Sequence, residues 1–140
     1  MKNKNNLIFS SCDYYYKFGK KKYKRLIHQS DVVVFAHRPT KNNILNFNQF
    51  GWIQKDKKNL VKKIECKKKV SKNPKKDLVI VGSFAFKNID IFNISYREMI
   101  RKKEKIRNEY YMDTVVKKAK KLNFKITYLL VKDFKSFGTP

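Results

Sequence analysis

Two long apolar runs limit what this chain can fold into. Residues 31–36 are Asp followed by an uninterrupted Val-Val-Val-Phe-Ala run, and residues 78–86 form a second run that contains Gly82. Runs that are apolar at successive positions and rich in β-branched side chains are typical of strands covered on both faces. Gly82 inside such a strand indicates a bulge or a close approach of another group. The sequence therefore predicts a sheet buried between other elements.

The rest of the chain supplies further strands and the helices that could cover the sheet. Shorter apolar or alternating patterns predict strands at residues 7–10, 50–56, 60–65 and 124–130. Apolar side chains at helical spacing predict helices at residues 14–29, 96–103 and 111–122. Residues 42–48 and 67–77 are polar or cationic and are predicted to be loops. Strands interspersed with helices indicate an α/β layer rather than a bundle or a sandwich.

The charge of the chain is unusual and admits two interpretations. Lys and Arg number 35 against 11 Asp and Glu, a formal net charge of +24. Such a surface can bind nucleic acid by releasing counterions, and some of the 20 aromatic side chains could stack on bases. However, 30 of the basic residues are Lys and only five are Arg, beside 13 Asn. Proteins that recognise bases depend on Arg for bidentate contacts. We therefore favour a general enrichment in Lys as the origin of the charge, with nucleic-acid binding as the alternative.

The cysteine content and the N-terminal residues indicate the cellular compartment in which the protein is expected. Cys12 and Cys66 form neither a disulfide framework nor a metal-binding pair. The first apolar run, residues 7–9, is too short for a signal peptide or a membrane-spanning helix. We therefore expect a cytoplasmic protein in a reducing setting, with no membrane partner.

Asp13 is the first candidate functional residue. It follows the strand predicted at residues 7–10, and the carboxyl ends of strands are where open α/β sheets bind ligands. A carboxylate there could hold Mg²⁺ between nucleotide phosphates. The alternative is that Asp13 caps a helix that begins at Tyr14.

Several segments, taken in order, resemble the second half of the catalytic domain of sugar-1-phosphate nucleotidyltransferases. They are Ser11-Cys12-Asp13, Phe50-Gly51-Trp52, the Lys-rich residues 65–74, Val81-Gly82-Ser83-Phe84-Ala85-Phe86, Asn108-Glu109-Tyr110-Tyr111-Met112-Asp113 and Gly138-Thr139-Pro140. The resemblance implies an incomplete Rossmann-like fold of the nucleotide-diphospho-sugar transferase type, a mixed sheet flanked by helices. Residues 1–140 are then expected to be a single partial catalytic domain that lacks the N-terminal Gly-rich nucleotide-binding half.

The resemblance also implies roles for particular residues. Asp13 would bind Mg²⁺, and Lys67, or alternatively Lys68, would approach the sugar phosphate, where an ammonium group neutralises phosphate oxygens. Gly82 would let the backbone approach the sugar, and Glu109 would face it.

Each of these residues also has a structural interpretation. Trp52, which in the family lies on the sugar-phosphate side of the cleft, could be a core residue, since Trp is usually buried. The lysines could be a solvated charge run, and Asn108 and Glu109 could cap a helix. Asp113, one turn further along that helix, is predicted to be structural.

The implied activity is transfer of a nucleotidyl group from a nucleoside triphosphate to a sugar 1-phosphate, with release of pyrophosphate. Many members of the family have Asp as a second metal ligand two residues before the final Gly-Thr-Pro, where this chain has Ser136. A neutral hydroxyl is a poor Mg²⁺ ligand, so coordination by two carboxylates is not expected through this position. The alternatives are a small basic nucleic-acid-binding protein and an inactive truncated remnant.

Overall fold

The computed structural model describes residues 5–138, which form a mixed α/β structure. The strands are β1 (Leu7–Ser10), β2 (Tyr14–Lys17), β3 (Val32–His37), β4 (Gly51–Lys55), β5 (Val61–Cys66), β6 (Leu78–Phe86), β7 (Ile126–Leu130) and β8 (Lys132–Ser136). The helices are α1 (Lys20–Gln29), α2 (Lys41–Leu45), α3 (Ile89–Arg101) and α4 (Met112–Lys121). Within the described residues, no helix is both long and apolar enough to cross a membrane.

β6 organises the main sheet because it is the longest strand and pairs along both edges. On one edge it runs antiparallel to β3, which in turn pairs in parallel with β7. On the other edge the first half of β6 pairs with β4, and its second half pairs with β1. β5 completes the hairpin with β4. Within residues 5–138, β1 has a hydrogen-bonded neighbour only on its β6 side.

Both faces of the main sheet are covered, as the apolar runs predict. Alternate β3 residues Val32, Val34 and Ala36 belong to the larger core cluster, which also includes apolar side chains from α3 and α4. The intervening residues Val33 and Phe35 face a second cluster that includes Ile27 of α1. Because both sets of side chains are buried, β3 reads as a continuous apolar run instead of an alternating one.

The helix predicted for residues 14–29 is wrong in its first part. Tyr14–Lys17 is instead β2, and α1 begins only at Lys20, after Gly19 at the N-cap position. Aromatic side chains suit strands, and β2 finds its partner in β8, a strand that the sequence patterns did not reveal. On this strand Tyr15 is 44% exposed.

Residues 42–48 are also more ordered than the predicted loop. α2 covers most of this segment and begins with a reciprocal cap between Thr40 and Asn43. The Asn43 backbone N–H donates to the Thr40 hydroxyl, while the Asn43 side-chain oxygen accepts from the Thr40 backbone N–H. Asn takes the place of the usual Glu or Gln in this capping box. A short 3₁₀ turn at Phe47–Gln49 then leads into β4.

Candidate active site

The pairing of β3 with β6 shifts register around Gly82, which forms a bulge in β6. Two adjoining cavities open beside this bulge. The larger, of about 490 Å³, is lined by Asp13 and is called the Asp13 cavity below. The smaller, of about 330 Å³, is lined by Lys67 and is called the Lys67 cavity. The two have wall residues in common, namely Tyr14, Gln49, Phe50 and Ile80. The structure therefore places the predicted metal ligand and a predicted sugar-phosphate ligand in neighbouring compartments of one cleft.

Asp13 is held in the turn between β1 and β2. The Ser11 hydroxyl donates to its carboxylate, and the Asp13 carbonyl accepts a hydrogen bond of 2.8 Å from the Phe137 backbone N–H. Gly138 lies directly against the carboxylate, because a Cβ atom at this position would overlap it. Thr139 and Pro140, part of the resemblance to the nucleotidyltransferases, lie outside the described residues. The C-terminal end of the described residues thus lies against Asp13.

The oxygen ligands around Asp13 fit Mg²⁺ only when it is shared with a substrate. Within residues 5–138 there is no group of three or more His, Cys, Asp or Glu side chains that could hold a metal ion. Mg²⁺, however, is commonly bound by one or two carboxylates together with substrate phosphates and water. The single Asp13 carboxylate meets that requirement. Ser136, the residue where relatives have Asp, lines the same cavity.

The backbone at the end of β5 turns Lys67 toward the smaller cavity. Lys67 has a φ of 56°, in the left-handed region, and its N–H donates to the Phe50 carbonyl at 2.9 Å. Its Nζ atom lies 5.0 Å from the centroid of the Tyr111 ring, a favourable cation–π distance. Gly82, with a φ of 82°, lines the same cavity, and its carbonyl accepts from the Ser11 N–H at 3.1 Å. The β6 bulge therefore connects the Lys67 cavity to the loop that contains Asp13.

Three predicted site residues are not brought into the cleft. Trp52 is fully buried in the core, where its indole N–H donates to the Phe47 carbonyl at 2.9 Å. Lys68 is exposed and lines neither cavity. Glu109 is also exposed and outside both linings, and it accepts a 2.6 Å hydrogen bond from the Tyr111 hydroxyl. Its contact with the cleft is therefore indirect, through Tyr111.

Asp113, predicted to be structural, lies in the cleft. α4 begins at Met112 with Tyr111 as its N-cap residue, so Asp113 is in the first turn and lines the Lys67 cavity. Burial raises the pKa of Asp113 to about 6, against the lowering effect of the Cys66 thiol and the Lys67 charge. The sequence feature that could have revealed this position is Gly51, since a glycine in a strand marks the close approach of another group. Here that group is the Asp113 carboxylate.

Tyr14 forms the wall between the two carboxylates. Its pKa is raised, first by burial and then by the negative charges of Asp13 and Asp113. The ring also packs against Phe134, with 5.2 Å between centroids. Because the phenol stays protonated at neutral pH, Tyr14 can offer a hydrogen-bond donor to either cavity.

His37 contributes an aromatic surface to the Asp13 cavity. It extends from the end of β3 and stacks on Phe134, with centroids 4.7 Å apart and planes 23° from parallel. Burial lowers the pKa of His37 below its usual value. The imidazole is therefore neutral at pH 7 and adds no charge to the cavity.

The two cysteines are expected to react very differently with thiol reagents. Cys12 is exposed, whereas Cys66 is 4% exposed, and burial together with the nearby Asp113 raises its pKa to about 12. Since the thiolate is the reactive form, Cys66 should be inert at pH 8 in the folded chain. Titration with a chromogenic disulfide should show one fast thiol per chain and a second only in guanidinium. Two fast thiols would contradict this arrangement.

The fold is shared with two solved proteins. The nucleoside-diphosphate-sugar pyrophosphorylase from Vibrio cholerae RC9 superposes with a TM-score of 0.74 at 17% identity, covering 96% of this chain and 52% of that one. HddC from Yersinia pseudotuberculosis, crystallised with GMP-PN, gives 0.55 at 16% identity, covering 96% and 51%. No family model and no curated protein matches the sequence. The predicted mixed-sheet nucleotidyltransferase-like fold is confirmed, and the chain spans about half the length of these solved proteins.

Proposed function

We propose that this chain forms the sugar-phosphate side of a sugar-1-phosphate nucleotidyltransferase. The observation that carries the proposal is the double cavity, with Asp13 in one compartment and Lys67 in the other. In the proposed reaction, an oxygen of the sugar phosphate attacks the α-phosphorus of a nucleoside triphosphate. The bond from that phosphorus to the bridging oxygen breaks, and pyrophosphate leaves. The likeness to a nucleoside-diphosphate-sugar pyrophosphorylase, and to HddC, which was solved with GMP-PN bound, supports this reaction class.

The chain's own residues have separate tasks in this scheme. The Lys67 ammonium binds the sugar phosphate and offsets the charge that two approaching phosphates bring together. Asp13, oriented by the Ser11 hydroxyl, would hold Mg²⁺, which when bound would supply positive charge to phosphate oxygens. Tyr14 offers a hydroxyl between the two compartments.

The triphosphate side of the reaction requires a further element. The four glycines, Gly19, Gly51, Gly82 and Gly138, are far apart, so residues 1–140 contain no Gly-rich loop that could hold a triphosphate. The proposal therefore assigns the triphosphate loop to another polypeptide segment. Binding of sugar phosphate and metal, unlike turnover, can be tested on the chain itself.

Lys67→Ala is expected to weaken binding of a sugar 1-phosphate by about tenfold or more, because it removes a charge-assisted contact. The measurement is calorimetric titration with α-D-glucose 1-phosphate and α-D-mannose 1-phosphate. Lys68→Ala is the matched control, since it removes the same charge one residue away outside the cavity, and should change affinity less than about twofold. Equal losses in both variants would indicate a general charge effect. No binding of either ligand by the wild-type chain would overturn the proposed function.

Asp13→Asn is expected to weaken metal binding by about tenfold or more, because the neutral amide is a poorer ligand than a carboxylate. Mn²⁺ can replace Mg²⁺ as a paramagnetic probe, titrated in the presence of the sugar phosphate. Asp133→Asn is the control, since Asp133 is exposed and forms only a 3.5 Å surface ion pair with Lys17. Unchanged Mn²⁺ affinity in Asp13→Asn would contradict the metal role.

A basic groove outside the cleft favours the second candidate function, binding of nucleic acid. It consists of two adjoining cavities that share Lys55, Lys76 and Asp77, and its walls also contain Asp56 and the cationic side chains of Arg38, Lys57, Lys62 and Lys75. The groove can be tested with Lys55→Glu, Lys75→Glu and Lys76→Glu combined, against the same three changes at Lys20, Lys21 and Lys22 on α1. If RNA affinity falls only in the groove variant, and the chain binds no sugar phosphate, nucleic-acid binding replaces the proposed function.

A further inference from the structure

The carboxylate of Asp113 lies against β4 and β5. A Cβ atom at Gly51 of β4 would overlap the carboxylate. Cys66 at the end of β5 and Lys67 directly after it are both close enough to lower the pKa of Asp113. Each neighbour thus either leaves space for the carboxylate or interacts favourably with it. This arrangement fixes an acidic group in the wall of a cavity that also contains the proposed phosphate-binding lysine.

We infer that Asp113 selects the ligand of the Lys67 cavity by accepting hydrogen bonds from hydroxyl groups of the sugar phosphate that Lys67 binds. The inference rests on the proposed function and specifies which side chain recognises the sugar hydroxyl groups. An ionised carboxylate is an acceptor only and has about four lone-pair sites, so contact with Cys66 leaves acceptor capacity free. A polyhydroxylated ligand with an attached phosphate matches the adjacent acceptor and cation.

Asp113 is better placed for this task than Glu109, which the resemblance assigned to the sugar. Glu109 is exposed and lies outside the cavity lining, and its interaction is with the Tyr111 hydroxyl. Tyr111 in turn lies under the Lys67 ammonium group. Glu109 therefore positions an aromatic wall residue, whereas Asp113 can contact the ligand directly.

Desolvation makes the Asp113 contact selective. Asp113 is half-buried in the cavity wall beside Gly51, and burial raises the pKa of this carboxyl to about 6. A ligand hydroxyl would supply a hydrogen bond that the cavity does not. A ligand without that hydroxyl would cover the carboxylate and leave it unpaired, and such sites reject the deficient analogue strongly.

The test compares ligands that differ in one hydroxyl. Calorimetric titrations at pH 8 use α-D-glucose 1-phosphate or α-D-mannose 1-phosphate, whichever the wild-type chain binds, with its monodeoxy analogues and inorganic phosphate. Asp113→Asn is expected to weaken sugar-phosphate binding by about tenfold or more and to change phosphate affinity less than about twofold. One deoxy analogue, which lacks the hydroxyl that pairs with Asp113, should bind Asp113→Asn at least as tightly as it binds wild type. Asp90→Asn is the matched control, since Asp90 is exposed on α3 and lines neither cavity, and it should change the affinity for the sugar phosphate less than about twofold.

A second variant keeps the charge but moves it. Gly51→Ala should displace the Asp113 carboxylate and cause a similar loss of sugar discrimination, with the fold checked by circular dichroism. If sugar-phosphate affinity is unchanged in Asp113→Asn while Lys67→Ala weakens it, the inference is overturned and the proposed function stands. If wild type binds no sugar 1-phosphate, both are overturned.

Discussion

At pH 8 the Asp113→Asn chain is expected to be more stable than wild type by about 1–3 kcal/mol in free energy of unfolding. The physical reason is the raised pKa of Asp113, from a model-peptide value of 3.8 to about 6, which means that the folded chain disfavours the ionised carboxyl. Asn has nearly the same shape and no charge to desolvate. Urea denaturation monitored by Trp52 fluorescence gives the difference directly.

The direction of the Asp113 pKa shift determines how the stability difference between Asp113→Asn and wild type depends on pH. Because the folded pKa of Asp113 lies above the unfolded one, the protonated carboxyl contributes stability below about pH 4, and this contribution is lost as the pH rises through about 6. The advantage of Asp113→Asn should therefore grow from near zero at pH 4 to its full value by pH 8. Asp133→Asn, which alters an exposed carboxylate, should show no such profile. A difference independent of pH would contradict the burial of the Asp113 charge.

A carboxylate that costs stability at neutral pH requires an explanation other than packing. Replacing a group in a binding site often stabilises the fold and impairs function, because sites retain groups that the fold alone would not favour. For Asp113 the two halves of this trade-off are measured separately, as unfolding free energy and as sugar-phosphate affinity. A stabilised Asp113→Asn that also loses ligand discrimination would support the role inferred for this residue.

The main sheet could be predicted from sequence because its strands are buried on both faces. β3 and β6 are nearly continuous apolar runs, and this pattern does not depend on knowing their partners. The β6 bulge was also foreseen, since Gly82 interrupts the run where the register with β3 shifts. The hairpin of β4 and β5 followed from alternating patterns around a polar turn.

Features that depend on distant contacts were not predictable in the same way. β2 and β8 are short, partly exposed strands that stabilise each other across more than a hundred residues of sequence, so neither has a strong local pattern. Asp113 looked like an ordinary acidic residue in the first turn of a helix, where the dipole favours negative charge. Only the approach of α4 to Gly51 and Cys66 places its carboxylate in a cavity.

Gly82→Ala is expected to destabilise the chain by about 2–4 kcal/mol and to weaken ligand binding in both cavities. An alanine would have to adopt a φ of 82°, which L-residues disfavour by about 1–2 kcal/mol. Its Cβ would also lie 3.1 Å from the Tyr14 ring and 3.3 Å from the Ser11 Cβ, so one or both must move. Urea denaturation measures the loss of stability, and titration with sugar phosphate and Mn²⁺ measures the loss of binding.

Gly19→Ala separates this effect from the general cost of replacing a glycine. Gly19 has an ordinary φ of −75°, and an added Cβ would meet only the Lys22 Cβ at 3.7 Å. That variant should change the free energy of unfolding by less than about 1 kcal/mol, because restriction of the unfolded chain by alanine and the poorer N-cap preference of alanine oppose each other. Tyr14 is the wall common to both cavities, and Ser11 donates to Asp13 and to the Gly82 carbonyl. Loss of stability in Gly82→Ala with sugar-phosphate and Mn²⁺ binding both intact would show that the bulge serves the fold alone.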